Sequence, residues 1–226
     1  MLSINTIVVP QGAEYQAVCR GLALANVDRI KVIAIPIGVK HITQVLANYA
    51  QEINNSAKVL ILGLCGSLAD THSVGDLVLV RSCEDLNHNL IDLDAELTGA
   101  IQQQLAIAQS HLVAALTSDR IITQAKEKLI LARQYSANIV EMEGYGYVKE
   151  LQHQGVAVAM IRVVSDDLRG DLPDLNQAIN SQGNLQTLPL AISLIKQPVA
   201  AIRLIRGSLT GLKTLEEITA KLANSL

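Results

Sequence analysis

Two glutamates flank a methionine in the segment VEMEG, residues 140–144. Glu141 and Glu143 are two residues apart, so they diverge by about half a turn on a helix and share a face on a strand. We expect only one of them to reach a given site. A carboxylate at a helix start can accept hydrogen bonds from both vicinal hydroxyls of a ribose. The alternative is an acidic residue that the helix dipole favours at a helix N-terminus, which would account for either glutamate.

A further carboxylate follows an apolar run in the segment IRVVSDD, residues 161–167. The run is typical of a strand that ends near Ser165 and Asp166. Ligands of α/β proteins bind beyond the carboxyl ends of strands, so Asp166 is a candidate general acid. The alternative is an aspartate, Asp166 or Asp167, that caps the following turn.

Glycines end another apolar run, VLILGLCGSL, residues 59–68. Gly63, Gly66 and Ser67 could let a ligand approach backbone N–H groups closely, whereas a plain turn is the alternative. Neither a Walker loop nor a GxGxxG fingerprint is present, so a dinucleotide-dependent oxidoreductase is a distant alternative. Cys65 lacks the glycine two residues later that a nucleophile elbow requires, and we predict a packed, inert thiol.

Short runs rich in valine, isoleucine and leucine alternate with helix-like segments along the chain. The runs predict strands at 4–9, 29–37, 58–64, 76–81, 111–116 and 156–164. The intervening patterns predict helices at 13–25, 41–54, 93–108, 124–135 and 141–153. Nearly continuous apolar strands indicate a sheet covered on both faces, and the alternation indicates the α/β class.

The rest of the chain, from Asp174 onward, is predicted to be mostly helical, with breaks at Pro189 and Pro198 and with the last helix packed on the sheet. No linker, low-complexity tract or repeat divides the sequence. We therefore predict one domain over residues 1–226.

Composition limits the classes of partner. Half of the 226 residues are apolar and 17% are charged, with net charge −3 and pI near 5.9, which disfavours nucleic acid as a partner. The start, MLSINTIVVP, has no basic region before its short apolar run, so we expect no signal peptide, no membrane span and a cytoplasmic location. Three cysteines without a CxxC pair and histidines without helical spacing predict neither disulfides nor a metal site.

Taken together in chain order, the three segments resemble the purine and uridine phosphorylase superfamily, which includes methylthioadenosine nucleosidases. GLCGSL (63–68) followed by VGDLVLV (74–80) is similar to its glycine-rich strand end and continuation, VEMEG to its V-E-M-E signature, and IRVVSDD to its R-x-x-S-D signature. Within the superfamily, the segments TSDRIIT and RVVSDDLRGDLP and the start at Val9 and Pro10 are most similar to the hopanoid-associated phosphorylases.

This resemblance implies a three-layer α/β domain with a central, mostly parallel or mixed, twisted sheet flanked by helices. It implies cleavage of the N-glycosidic bond of a nucleoside, by phosphate or by water, with release of a base that we expect to be a purine. No cofactor is implied, phosphate is a possible co-substrate, and a homo-oligomer is expected. The other hypothesis is a nucleoside-binding protein that retains the fold without turnover.

The resemblance also assigns roles to residues. Asp166 would protonate the departing base and Ser165 would orient Asp166. Glu143 would bind the ribose hydroxyls, with Met142 packing under the sugar. The remaining predicted contacts come from the glycine-rich segment, where backbone lines the base site: Gly63, Cys65 and Gly66.

Three positions leave alternatives open. Glu14 lies near the glutamate that activates water in the nucleosidases, but an alignment shifted by two residues places Gln16 there, which cannot act as a base. Ile121 stands where the family commonly stacks an aromatic ring on the base. Arg120, beside it, could bind an anionic substrate group or simply pair with Asp119 or Glu127.

The aromatic residues near the signature are predicted to serve packing. Tyr145 and Tyr147 follow Glu143 on the helix that leaves it, so we predict packing or interface residues with a polar tip. Gly144 and Gly146 then suggest close approach of another element or subunit.

Overall fold

The computed structural model describes residues 2, 4–36, 42–49, 53, 58–175 and 186–223. The strands in this part of the chain are β1 (Thr6–Pro10), β2 (Lys31–Ile35), β3 (Lys58–Ser67), β4 (Leu77–Asp85), β5 (Leu90–Asp92), β6 (Leu112–Thr117), β7 (Ile139–Glu141) and β8 (Ala157–Asp166). The helices are α1 (Ala13–Leu24), α2 (Ile42–Asn48), α3 (Ala95–Leu105), α4 (Ala125–Tyr135), α5 (Gly144–His153), α6 (Thr187–Lys196) and α7 (Pro198–Ala223).

These strands form one mixed sheet. β1 pairs in parallel with β2 and β3, and β3 pairs in parallel with β8. β4 pairs in parallel with β6 and antiparallel with β5 and β8. β7 joins β6 in parallel and β3 antiparallel. The pairings of β3, β7, β6, β4 and β8 therefore close into a ring, and β1 and β2 extend the sheet from β3.

Helices cover the sheet on both faces, which gives the three layers. Helices α2 and α5 cover one face with the core side chains Ile42, Leu46, Tyr147, Val148 and Leu151. Helices α1, α3 and α7 cover the other face with Ala17, Val18, Leu22, Leu97, Ile101, Leu105, Leu215, Ile218 and Leu222. Because both faces are buried, the central strands consist of nearly continuous apolar residues.

The long C-terminal helix α7 packs against α1 and β8, as predicted for the last helix. A Cβ atom at Gly207 would lie 2.0 Å from the carbonyl oxygen of Ser165, so the helix backbone directly contacts the end of β8. No helix in the part of the chain that the structure describes is long and apolar enough to span a membrane.

The predicted fold class is confirmed, and every predicted strand coincides with a strand of the sheet. Two short strands, β5 and β7, were not predicted. The helix predicted to begin at residue 141 begins at Gly144 instead, because residues 139–141 pair with β3 and β6. The helix predicted at 41–54 extends into residues outside the described part of the chain, which contains its segment α2.

The predicted break at Pro189 is wrong. Helix α6 begins at Thr187 and continues through Pro189. Proline is tolerated there because the backbone N–H groups of a first helical turn have no partner within the helix. Pro198, by contrast, does begin a new helix.

Candidate active site

A cavity of about 220 Å³ opens where β3, β7 and β8 end, beside the start of α1. Four carboxylates line it, from the start of α1, the end of β7, the turn before α5 and the end of β8: Glu14, Glu141, Glu143 and Asp166. The lining also includes large apolar side chains: Leu64, Ile121, Ile122, Leu172, Leu175 and Leu204. This combination suits a ligand with one hydroxyl-rich part and one flat apolar part.

Glu141 organises the polar floor of the cavity. Its Oε2 atom accepts hydrogen bonds from the backbone N–H groups of Glu143, at 3.0 Å, and Gly144, at 2.6 Å. Its Oε1 atom accepts from the Thr117 hydroxyl at 2.5 Å, and the Thr117 oxygen in turn accepts from the Tyr145 N–H. Both oxygens of Glu141 are thus used in fixing the turn into α5.

The fully buried guanidinium of Arg162 completes this network. Its Nη2 atom lies 2.5 Å from Glu141 Oε2 and 3.9 Å from Glu143 Oε2. Burial alone would lower the pKa of Arg162, but the carboxylates of Glu141, Glu143 and Glu14 together raise it above its ordinary value. Arg162 therefore remains a fixed cation beneath the carboxylates of the cavity.

Glu143 has the position predicted for the ribose-binding carboxylate. It is the residue immediately before α5 and it lines the cavity, as does the half-buried Met142. The backbone N–H of Glu143 is tied to Glu141, so its place at the cavity is set by that neighbour. Both glutamates of the VEMEG segment line the cavity, so the expectation that only one of them would reach a given site is wrong. They differ in that both oxygens of Glu141 are used within the turn into α5.

Glu14 lies in the first turn of α1 and lines the cavity, whereas Gln16 is exposed and is not among the lining residues. The Oε1 atom of Glu14 accepts a hydrogen bond from the Leu64 N–H at 2.6 Å. Burial raises the pKa of Glu14 to about 7; the Leu64 N–H and Arg162 oppose the rise, and Glu141 adds to it. A carboxylate with this pKa can take a proton from water near neutral pH.

Asp166 ends β8 and has a partner on each oxygen. Ser165 Oγ lies 3.1 Å from Oδ1 of Asp166 and 3.2 Å from the carbonyl oxygen of Cys65. The ammonium group of Lys128, from α4, forms an ion pair with Oδ2 of Asp166. The Lys128 side chain is 1% exposed and the Asp166 side chain 13% exposed, so the pair is largely removed from water.

Two glycines of β3 are required by close neighbours. A Cβ atom at Gly66 would lie 2.9 Å from Oδ2 of Asp166, so glycine there admits the carboxylate. A Cβ atom at Gly63 would lie 2.1 Å from Nη1 of Arg162. Gly63 does not line the cavity, although the sequence predicted a binding role for it. It contributes by making room for Arg162.

Replacing Gly63 with alanine should therefore destabilise the protein. Arg162 cannot move away because its guanidinium is fully buried and paired with Glu141. We expect G63A to lower the free energy of unfolding by about 1–3 kcal/mol. Gly99, within α3, is the matched control because no atom lies within 4 Å of an added Cβ. A melting temperature of G63A equal to that of G99A would contradict this account of Gly63.

Three further residues that were predicted to contact substrate also line the cavity: Cys65, Ile121 and Arg120. Cys65 lines the cavity, and burial raises the pKa of its thiol well above the ordinary range, as expected for an inert thiol. Ile121 is one of the large apolar side chains of the lining. Arg120 lines the cavity but its guanidinium forms an ion pair with Glu127, with Nη1 3.2 Å from Oε2.

Gly144 is required by a neighbour within its own turn. An added Cβ would lie 2.9 Å from Oε1 of Glu141, so the nearest neighbour is a carboxylate three residues earlier and not the distant element or subunit predicted for this glycine. Tyr147 is fully buried on the α5 face of the core, and its hydroxyl donates to the carbonyl of Pro36.

Sequence reasoning missed two cationic residues of the site. Arg162 is part of the R-x-x-S-D pattern, and its position inside the apolar run of a predicted buried strand is the sequence signal that could have identified it. Lys128 gave no such signal, because a lysine on a helix is usually solvated and its neighbours Leu129 and Ile130 are the exposed ones.

Comparison with known proteins identifies the family. A family model described as the phosphorylase superfamily matches residues 17–192, which is most of the chain. The chain belongs to the phosphorylase superfamily. The resemblance noted in the sequence is confirmed at this level, and placement in the hopanoid-associated branch stays a prediction.

Several named proteins are similar to this chain. A futalosine hydrolase from Thermus thermophilus is 27% identical over 152 residues, a match that covers 58% of this chain and 66% of the hydrolase, just under two thirds of its length. Among solved structures, a futalosine hydrolase from Helicobacter pylori superposes with a TM-score of 0.70 at 17% identity, covering 98% of this chain and 97% of that one.

A 5'-methylthioadenosine/S-adenosylhomocysteine nucleosidase from Neisseria meningitidis also superposes with a TM-score of 0.70, at 15% identity, covering 99% of this chain and 100% of that one. At these identities the structural matches show a shared fold. The activity of this superfamily member must be argued from its own site.

Proposed function

We propose that this protein is a nucleosidase that hydrolyses the N-glycosidic bond of a purine nucleoside. Water attacks the anomeric carbon, the bond to the base breaks, and the free sugar and base are released. Its relatives include a futalosine hydrolase and a methylthioadenosine nucleosidase, which supports hydrolysis at the level of family members.

The observation that carries the choice of water over phosphate is the charge of the cavity. Among its described lining residues, Glu14, Glu141, Glu143 and Asp166 are carboxylates and Arg120 alone is cationic. Arg120 is already paired with Glu127, outside the cavity lining. Lys128 pairs with Asp166, and the single guanidinium of Arg162 lies 2.5 Å from Glu141 and 3.9 Å from Glu143, so the carboxylates of the lining outnumber the cations beside them. A phosphate dianion would be repelled there, whereas neutral water would not.

Three groups divide the chemistry. The Glu143 carboxylate accepts hydrogen bonds from the ribose hydroxyls. Glu14 takes a proton from the attacking water as the sugar acquires oxocarbenium character. Asp166 places a proton on the leaving purine, so that the electron pair of the broken bond does not remain as an anion. A purine is proposed because its imidazole nitrogen can accept this proton while the ring lies against the apolar side chains of the lining.

A nucleoside panel tests this assignment. Adenosine, inosine, guanosine, uridine and methylthioadenosine are incubated with the enzyme in phosphate-free buffer, and free base is measured by chromatography. We expect base from at least one purine nucleoside. If a nucleoside instead raises the melting temperature without being consumed, the protein binds nucleosides without turnover and the proposal is wrong.

Lys128 is proposed to supply the proton that Asp166 delivers. Lys128 does not line the cavity, so a proton from its ammonium group reaches the base only through Asp166. Lys128 passes a proton to the Asp166 carboxylate, Asp166 passes it to the purine as the bond to the sugar breaks, and the neutral amine of Lys128 regains a proton from solvent. Lys128 is thus a residue that acts through Asp166.

Substituting Lys128 separates proton supply from charge. We expect K128M to lower kcat by about 10²-fold, within the range for lost acid catalysis, with KM little changed. K128R retains the positive charge, but a guanidinium does not release its proton, so it should remain as slow as K128M. Full rescue by arginine would show that Lys128 only positions Asp166. Melting temperatures of both variants control for unfolding.

We also propose that the protein is a homo-oligomer. Large apolar side chains on α6 and α7 are exposed in the single chain, including Leu188 at 70%, Ile195 at 78% and Val199 at 76%. Exposed apolar side chains concentrated on two successive helices favour association between chains. Light scattering coupled to size-exclusion chromatography would show a single-chain mass if the proposal is wrong.

A further inference from the structure

Two histidines and an aspartate lie close together near the starts of β4 and β6, outside the cavity. His72 lies in the loop between β3 and β4, Asp76 ends that loop, and His111 immediately precedes β6. One donor atom from each residue lies within 4.8 Å of the others. The two imidazole rings have centroids 5.4 Å apart and planes inclined at 58°.

We propose that His72, Asp76 and His111 bind a divalent transition-metal ion, with zinc as the best-fitting candidate. Two imidazole nitrogens and one carboxylate oxygen form a common ligand set for zinc, with water as the fourth ligand. Spacing in the sequence did not predict this site, because His72 and His111 are brought together by the pairing of β4 with β6.

The state of the His72 ring is the second observation that points to a ligand. His72 is 2% exposed, yet its Nδ1 atom has no hydrogen-bond partner among the described residues. A buried nitrogen without a partner is costly, and metal coordination would offset this cost.

A hydrogen bond within its own loop orients the Asp76 carboxylate. The Ser73 N–H donates to Oδ2 of Asp76 at 2.8 Å, a supporting bond of the kind that fixes metal-ligating carboxylates. Bonds of about 2.0–2.1 Å to zinc need donor atoms roughly 3.4 Å apart, so the three side chains must close by about an ångström on binding. Asp76 and His111 are half-buried and can make this adjustment by side-chain rotation.

The position of the cluster indicates a structural ion. The Gly75 N–H donates to the Val164 carbonyl at 2.8 Å, and the Val164 N–H donates to the Asp76 carbonyl at 2.9 Å. The loop is therefore paired with β8 one residue before Ser165. A metal at the cluster would connect this loop to the start of β6 and so support the strand end that carries Asp166, without contacting substrate.

Direct metal binding tests the proposal independently of catalysis. The full chain, with any affinity tag removed and after dialysis against chelator, is titrated with Zn²⁺ by calorimetry, and melting curves are recorded with Zn²⁺ and with Mg²⁺. We expect one Zn²⁺ per chain, and a melting temperature higher by roughly 5–10 °C at a hundredfold excess over Kd. Mg²⁺ should have little effect because it prefers oxygen ligands.

Three variants decide the assignment. H72Q and H111Q should weaken Zn²⁺ binding at least tenfold, whereas H153Q, at an exposed histidine of α5, should bind as the wild type does. If H72Q fails to fold because His72 is in the core, H111Q alone decides. Absence of stoichiometric binding, or equal binding by H111Q and H153Q, would mean an adventitious ion only and would overturn the proposal. Base release plays no part in these readouts, so a failed nucleosidase assay leaves them interpretable.

Discussion

Replacing Asp166 with asparagine should lower kcat/KM for the hydrolysed nucleoside by about 10²- to 10⁴-fold, the usual range for loss of a general acid. Asparagine retains the size of the side chain and its bond to Ser165 but has no proton to give at neutral pH. Steady-state base release gives the measurement. The matched control is D167N, because Asp167 is the adjacent carboxylate and accepts a hydrogen bond from the Arg169 N–H instead of lining the cavity.

The same substitution has a stability effect that makes the test sharper. D166N leaves the buried ammonium of Lys128 without its counter-charge, which costs roughly 3–5 kcal/mol for a buried pair broken on one side. The double variant D166N/K128M removes both charges and should recover most of the lost melting temperature while remaining inactive. Recovery of activity in the double variant, or D167N as slow as D166N, would contradict the role of Asp166.

Replacing Glu14 with glutamine should abolish most hydrolysis while the fold is retained, because the amide oxygen can still accept from the Leu64 N–H. Glutamine cannot take a proton from water, so we expect kcat to fall by about 10²- to 10⁴-fold. In the wild type the pKa of Glu14, about 7, predicts that kcat/KM declines as pH falls below 7. Q16A at the exposed neighbour is the control. A wild-type rate in E14Q would exclude Glu14 as the base.

The raised pKa of Glu14 should also make the free energy of unfolding fall as pH rises. The pKa of Glu14 is raised from 4.5 to about 7 on folding, so the folded state binds the proton more tightly. Proton binding by Glu14 stabilises the folded state by roughly 3 kcal/mol below pH 4.5, and this stabilisation is lost as pH rises through 7. E14Q lacks the effect. Its melting temperature relative to the wild type should therefore be higher at pH 8 than at pH 5.

The alternation of apolar runs was sufficient to predict the fold class and the long strands, because a sheet covered on both faces requires such runs. The helix predicted at 141–153 includes Glu141, and the sequence predicts no strand at 139–141, since three residues are too few to show a strand period. Their strand state depends on pairing with β3 and β6. The break predicted at Pro189 likewise ignored the tolerance of a first helical turn for proline.

The candidate site was partly visible in the sequence. A strand end and a helix start indicate Asp166 and Glu143, the family resemblance indicates Glu14, and the structure brings all three to one cavity. The two-residue ambiguity between Glu14 and Gln16 could not be resolved without knowing which side of α1 faces the cavity. Lys128 could not be found, because α4 joins Asp166 only through tertiary packing.

The identity of the sugar product tests the central proposal most directly. The active nucleoside is incubated with the enzyme in water enriched in oxygen-18, with and without inorganic phosphate, and the products are identified by mass spectrometry. We predict free sugar carrying the heavy oxygen, formed at the same rate in both buffers. Formation of a sugar 1-phosphate, or base release that requires phosphate, would show that the enzyme is a phosphorylase and would contradict water activation by Glu14.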